Sequence, residues 1–179
     1  DVLCQDLDLN SLQGDKEVID ILERMNVVFN SKDTDVKGII NGELIATIID
    51  GSQCPDIIPV LTAVAALSKG TTEIINAGRL RIKECDRLAA VTSELNKLGA
   101  KIIEKEDGLL VTGVEKLKGN VEVWSHKDHR IAMTLAIAST RCEEPIVIKD
   151  YECIAKSYPR FFDDFRTLGG DIHEWNVGK

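Results

Sequence analysis

Three stretches of the chain share one hydrophobic rhythm. Ile21-Leu22-Glu23-Arg24-Met25-Asn26-Val27-Val28, Leu95-Asn96-Lys97-Leu98-Gly99-Ala100-Lys101-Ile102 and Phe165-Arg166-Thr167-Leu168-Gly169-Gly170-Asp171-Ile172 each close an amphipathic helix and open a strand. In each, the helix runs out at Gly or Asn, residues that tolerate the left-handed conformation of a C-terminal cap. The stretches recur about every 70 residues, which marks internal repetition of one supersecondary unit.

A second rhythm interleaves with the first. Pro59-Val60-Leu61-Thr62-Ala63-Val64-Ala65-Ala66-Leu67 and Ile131-Ala132-Met133-Thr134-Leu135-Ala136-Ile137-Ala138 are Ala-rich and apolar on nearly every face. Such helices are normally buried, and their small side chains let neighbours approach closely. Each leads into a predicted strand, residues 71–77 and 145–150. Further strands are predicted at 101–105, 109–112 and 121–124, with turn signals at Asp107-Gly108 and Lys118-Gly119-Asn120. The unit reads buried helix, strand, amphipathic helix, then several strands. Its middle copy (residues 56–124) is complete and its last (127–175) holds both helices. The first copy opens on a strand at 2–9, with no buried helix before it. Repeat arrays pair whole units, so an upstream element is expected to be missing, leaving an apolar patch uncovered. The start at Asp1 without a Met is read the same way, as a piece of a longer chain.

Composition adds limits. The 179 residues are 44% hydrophobic and 29% charged, ordinary for one globular domain, but only 4% aromatic, so aliphatic side chains must build the core. Basic residues number 22 against 30 acidic, a net charge of -8 that argues against a nucleic-acid or anionic-membrane partner. No apolar run approaches the roughly 20 residues of a membrane span. Cys4, Cys54, Cys85, Cys142 and Cys153 form an odd, scattered set without C-x-x-C. That pattern points to reduced thiols and a cytoplasmic location rather than to disulfides or zinc.

Candidate chemistry gathers at strand-to-helix junctions, where α/β units present functional residues. The segment Arg79-Leu80-Arg81-Ile82-Lys83-Glu84-Cys85-Asp86-Arg87 concentrates cations in an acidic protein, just before a helix predicted over 84–98. A helix N-terminus already favours anions, and Lys83 and Arg87 can share a helix face beside Glu84. The same residues also suit a solvated basic turn. In Ser125-His126-Lys127-Asp128-His129-Arg130, Ser125 is a plausible N-cap, and Arg130 opposes the helix dipole, which suggests an anionic partner. His126 and His129 lack a third metal ligand nearby, so capping or phosphate contact is the commoner use. Asp56, before the buried helix, is either a capping carboxylate or a general base. Lys156 follows a strand and precedes a helix that Ser157 can cap; by itself it reads as a surface lysine. Two carboxylates among several cations suit chemistry on phosphorylated, carboxylated small molecules.

At these residues the chain resembles a known family. Arg79-Leu80-Arg81-Ile82-Lys83-Glu84-Cys85-Asp86-Arg87-Leu88, Asp128-His129-Arg130-Ile131-Ala132-Met133, Ala155-Lys156-Ser157-Tyr158-Pro159, Asp56-Ile57-Ile58-Pro59 and Ser11-Leu12-Gln13-Gly14-Asp15 are similar, in order, to the C-terminal part of 5-enolpyruvylshikimate-3-phosphate synthases. The resemblance implies an α/β (α+β) fold: one lobe of the enolpyruvyl transferase fold, whose repeated βαβαββ units pack around buried helices. It implies that residues 1–179 are a single C-terminal lobe of a two-lobe enzyme, lacking the first helix of its first repeat.

The implied reaction transfers enolpyruvyl from phosphoenolpyruvate to the 5-hydroxyl of shikimate 3-phosphate by addition and elimination. It releases phosphate, uses neither metal nor organic cofactor, and lies on the route to chorismate and the aromatic amino acids. By the same resemblance Asp56 accepts the hydroxyl proton and Lys83 binds the shikimate side and assists. Glu84 protonates the methylene carbon and later takes a proton back. Arg87, Arg130 and Lys156 hold phosphoenolpyruvate, and Arg79 stands where some members use Asn against the shikimate phosphate. The other lobe is a required partner, so the chain alone is expected to be inert. Rival readings are a UDP-N-acetylglucosamine enolpyruvyl transferase and a non-catalytic anion-binding module on the same fold.

Overall fold

A computed structural model describes residues 2–174 of the chain. Its central unit runs β4 (Ile48–Asp50), α2 (Ile58–Ala65), β5 (Thr71–Ile75), α3 (Arg87–Lys97), β6 (Lys101–Lys105) and β7 (Gly108–Thr112). These four strands form one sheet in the order β4-β5-β7-β6, with β4 parallel to β5 and the remaining pairs antiparallel. Buried Ile49, Ile74, Leu109 and Val111 give the sheet one dry face, which α2 and α3 cover. The unit is βαβαββ, and it begins one strand earlier than the hydrophobic pattern suggests.

The flanking elements are partial copies. Upstream, β1 (Leu3–Cys4), α1 (Glu17–Arg24), β2 (Val27–Lys32) and β3 (Asp35–Ile40) form a sheet in the order β1-β3-β2. Cys4 pairs with Val36 as Ile74 pairs with Leu109, one residue beyond the start of the second hairpin strand in each case. By that register β1 is the counterpart of β5. Downstream, β8 (Val121–Trp124), α4 (His129–Ser139), β9 (Ile146–Lys149) and α5 (Phe161–Thr167) repeat the βαβα half, with β8 parallel to β9. Asp6, Asn76 and Asp150 all adopt a left-handed backbone, at φ 57, 54 and 53. From each of them the next α-helix begins eleven positions on, at Glu17, Arg87 and Phe161.

The expected helix ends hold. Asn26, Gly99 and Gly169 carry positive φ just past α1, α3 and α5. Gly99 and Gly169, at φ 93 and 97, occupy a region that a Cβ would strain. Four expectations need correction. The strand predicted at 2–9 is only Leu3–Cys4, because Asp6 turns the chain. Residues 171–174 form no strand after α5, and Trp175, the end of the predicted last unit, lies outside the described residues. Helix α3 starts at Arg87 rather than 84, since the backbone at Lys83 is extended and Asp86 is the cap. Ser125 and Ser157 are not caps: Asp128 caps α4, and α5 starts after Arg160 without a side-chain cap.

The main core is aliphatic, running from Ile21 and Met25 through Leu61, Leu88, Leu95 and Leu98 to Ile131 and Leu135. Three of the four phenylalanines sit apart, Phe161, Phe162 and Phe165 packing under α4 beside Ile154. Among the described residues no helix is long and apolar enough to cross a membrane.

Candidate active site

Parallel pairing sends β4 with β5, and β8 with β9, out of their sheets in a common direction. The segments leaving those four C-terminal ends carry the candidate residues, as open α/β sheets generally do. Asp56 sits in the 3-10 turn Pro55–Ile57 after β4. Lys83, Glu84 and Arg87 follow β5, beyond the 3-10 helix Gly78–Ile82. Asp128 and Arg130 open α4 after β8, and Lys156 ends the 3-10 helix Tyr151–Lys156 after β9.

Arg87 is the hub. Its Nη1 donates to Asp56 Oδ1 at 2.8 Å, its Nη2 to Glu84 Oε2 at 2.7 Å, and its Nε to Asp128 Oδ2 at 2.7 Å. The guanidinium thus bridges three carboxylates from three segments, a use that suits its planar set of donors. Around it, Lys83 Nζ lies 3.3 Å from Asp56 Oδ1, and Arg130 donates to Asp56 Oδ2 at 3.2 Å and to its carbonyl at 3.0 Å. Lys156 Nζ reaches Glu84 Oε1 at 3.2 Å. Asp56 therefore answers cations rather than capping α2. Lys83 and Arg87 meet at Asp56 although they share no helix face.

Electrostatics follow from these contacts. Burial alone would raise the Asp56 carboxyl, but Arg130, Lys83 and Arg87 outweigh it and hold it below the usual carboxylate range. Glu84 is lowered first by its own backbone N–H and then, against partial burial, by Lys156 and Arg87. Both carboxylates are ionised at neutral pH. Four cations face three carboxylates here, and the open rim leaves Asp56 and Glu84 about a third exposed. An anion entering the site would find cations already positioned, provided it takes over contacts those carboxylates now make.

Some candidates lie elsewhere. Arg79 is exposed and has no ion pair or hydrogen bond among the described residues. His126 packs its ring against Trp124 and meets Glu94 Oε1 at 3.0 Å, so that buried Glu94 joins His126 to the exposed Lys97. His129 is 7% exposed, and burial lowers its pKa; its Nδ1 has no hydrogen-bond partner among the described residues. Asp128 is the residue whose role the sequence reading missed. Its signal is an acidic residue immediately before a helix whose second residue is Arg.

The family EPSP synthase (3-phosphoshikimate 1-carboxyvinyltransferase) matches residues 1–165. A 3-phosphoshikimate 1-carboxyvinyltransferase of Clostridium beijerinckii is 72% identical over 178 residues, 99% of this chain and 41% of that protein. One from Clostridioides difficile is 65% identical over 179 residues, 100% of this chain and 41% of that protein. The chain therefore spans less than half the length of these relatives. Among solved structures, an EPSP synthase from Acinetobacter baumannii is similar with a TM-score of 0.86 and 28% identity, covering 96% of this chain and 42% of that one. The enolpyruvyl transferase NikO from Streptomyces tendae shares the fold, with a TM-score of 0.75 at 21% identity over 87% of this chain and 35% of that one.

Proposed function

The chain belongs to the EPSP synthase family, and on that footing we propose that it is one lobe of a two-lobe 3-phosphoshikimate 1-carboxyvinyltransferase. Its substrates are phosphoenolpyruvate and shikimate 3-phosphate, and its setting is the cytoplasm. The relatives' names favour this enzyme over the UDP-N-acetylglucosamine enolpyruvyl transferase. One observation supports the reading most: Arg87 bridges Asp56 and Glu84, so two ionised carboxylates are fixed on one cation at an open rim.

A base and an acid are needed in sequence. Asp56, kept ionised by Arg130 and Lys83, is ready to accept the proton of the attacking 5-hydroxyl. Lys83 binds the shikimate side and stabilises charge on the oxygen as that proton leaves. Glu84 must first be protonated to act on the methylene carbon, yet in the free site its pKa is lowered. The ligand reverses this. When phosphate and carboxylate groups take over Lys156 and Arg130 and draw on Arg87, Glu84 loses its cations and gains anionic neighbours, and its pKa rises. The acid is thus switched on by substrate. After addition, Glu84 as carboxylate takes back a methyl proton while phosphate leaves against Lys156 and Arg130. Arg79 is free to meet the shikimate phosphate. No step uses a metal or organic cofactor.

The rest of the relatives' length supplies the other half of the cleft, so this chain alone is inert. The test measures phosphate release from the two substrates by this chain alone and by it together with the remaining part of the C. beijerinckii enzyme. Turnover only in the mixture, abolished by Glu84→Gln and reduced by Asp56→Asn, is expected. Turnover by the single chain would overturn the half-site proposal. A folded, ligand-binding mixture that releases no phosphate would leave an anion-binding module.

A further inference from the structure

The turn that delivers Arg130 has an unfavourable backbone. Strand β8 ends at Trp124, and Ser125, His126, Lys127 and Asp128 carry the chain into α4, the Asp128 N–H donating to the Ser125 carbonyl at 3.0 Å. Both central residues lie at positive φ, 53 for His126 and 57 for Lys127. Asn and Gly favour such turns, because a Cβ is crowded in that region. His and Lys lack that freedom, so contacts from the surrounding structure must hold the turn in shape.

Those contacts converge on a buried carboxylate of α3. Glu94 is 1% exposed. Its Oε2 accepts from the Trp124 N–H at 2.9 Å, and its Oε1 meets His126 Nε2 at 3.0 Å. Lys97 donates to both oxygens, at 2.9 and 2.7 Å, and keeps the charge paired. Glu94 stands about two turns beyond Arg87 on α3, so both face the β8–α4 junction from one side of that helix. Arg87 grips the junction at Asp128, and Glu94 grips it at Trp124 and His126. From that junction Arg130 reaches Asp56 Oδ2 at 3.2 Å and the Asp56 carbonyl at 3.0 Å. We propose that Glu94 is a positioning residue of the site: it clamps the turn at His126 and Lys127 and thereby holds Arg130 against Asp56. An arginine fixed in advance offers its donors to an entering phosphate or carboxylate without first having to be ordered. The bearing of the clamp on the reaction rests on the role proposed for Arg130, whereas its geometry does not.

The test follows the Asp56 carboxyl by carbon-detected magnetic resonance in the unliganded chain, assigned with Asp56→Asn. Against burial, Arg130 leads the cations that hold this carboxyl below its ordinary 3.8. Glu94→Ala frees the turn, so the titration midpoint should move up, as it should in Arg130→Ala, and the Arg130 backbone N–H should exchange about tenfold faster. The direction separates the causes. Loss of a nearby negative charge alone would move the midpoint down, and a general loss of stability would not move it. His126→Ala cuts only the partly exposed side-chain half of the clamp, and should act in the same direction but less. Lys127→Gly supplies a residue at ease at positive φ, and should restore the midpoint in both variants. Where Glu94→Ala does not fold, His126→Ala decides. A midpoint unmoved by these two variants, or indifferent to Arg130→Ala, would overturn the proposal. So would a midpoint that moves up and ignores Lys127→Gly, since the turn would then not be what Glu94 holds. None of these readouts involves phosphate release, so failure of the reaction assignment leaves them unchanged.

Discussion

Arg87 Nε and Asp128 Oδ2 stand 2.7 Å apart, with the two side chains 1% and 0% exposed. Asp128 also accepts from Arg87 Nη2 at 3.3 Å, from the Cys85 thiol at 3.6 Å and from the backbone N–H of Arg130 at 2.8 Å. One buried carboxylate thereby holds the hub of the site and caps the helix that presents Arg130. Withdrawing two charges from water is unfavourable, and this pair is tolerable because nearly every donor and acceptor in it is engaged. Its value lies in geometry: Asp128 grips the inner edge of Arg87 and so aims its Nη1 and Nη2 at the rim where Asp56 and Glu84 stand.

Asp128→Ala should therefore destabilise the chain by about 3–5 kcal/mol, the range for leaving one member of a buried ion pair alone. Asp128→Asn retains an acceptor for the helix cap and should lose less. Urea unfolding midpoints check both, and a loss below about 1 kcal/mol for the alanine variant would contradict the clamp.

Cys85 should be chemically silent. Burial first, and then Asp128 beside it, push its thiol up to about 12. Iodoacetamide at pH 8 should label exposed Cys4 well before Cys85, as read by peptide mass spectrometry. Asp128→Asn should speed Cys85 labelling, because the Asp128 charge that helps raise the thiol is removed.

Stability should fall on acidification in two stages. His129 is held by burial below its ordinary 6.5, so the unfolded chain binds its proton first and stability begins to drop below that pH. Burial would raise Glu94, but Lys97, the Trp124 N–H and His126 lower it; Asp56 and Glu84 are lowered as well. Stability from these carboxylates is complete above their ordinary 4.5 and 3.8, and is lost as pH falls through their lower folded values. Thermal unfolding followed from pH 8 to pH 3 in wild type and His129→Asn should show the upper stage disappear in the variant.

Asp86→Ala should loosen the segment that carries Lys83 and Glu84. Asp86 caps α3 by accepting from the Ala89 N–H at 3.0 Å, and it pairs with Arg81 at 2.9 Å. Arg81 in turn ties this loop to the β6–β7 hairpin through Glu104 and the carbonyls of Lys105 and Glu106. A loss of about 1 kcal/mol is expected from the cap, with faster hydrogen exchange at residues 83–86.

Much of this was legible in the chain. The two apolar helices, the helix-ending Asn26, Gly99 and Gly169, and the β6–β7 hairpin follow from local patterning, because each depends on residues close in sequence. Asp56, Glu84, Lys83, Arg87, Arg130 and Lys156 stand out as candidates because each lies at a strand-to-helix junction, while the roles proposed for them come from the family resemblance. Their pairing does not stand out, since the Arg87–Asp56 and Arg87–Asp128 contacts join separate junctions through tertiary packing. Propensity alone extends α3 back to Glu84, since Lys83-Glu84 favours helix, whereas capping by Asp86 decides the boundary. The eleven-residue interval after Asp6, Asn76 and Asp150 is present in the sequence, but it gains meaning only from the backbone they share.

The measurement that bears most directly on the site is the titration of the Glu84 carboxyl by carbon-detected magnetic resonance, assigned with Glu84→Gln. Its own N–H, Lys156 and Arg87 should place the midpoint in the free chain below the ordinary 4.5, and Lys156→Ala should move it up. A midpoint at or above 4.5 in the unliganded chain, indifferent to Lys156→Ala, would contradict the picture of a carboxylate held ionised by cations that substrate must claim.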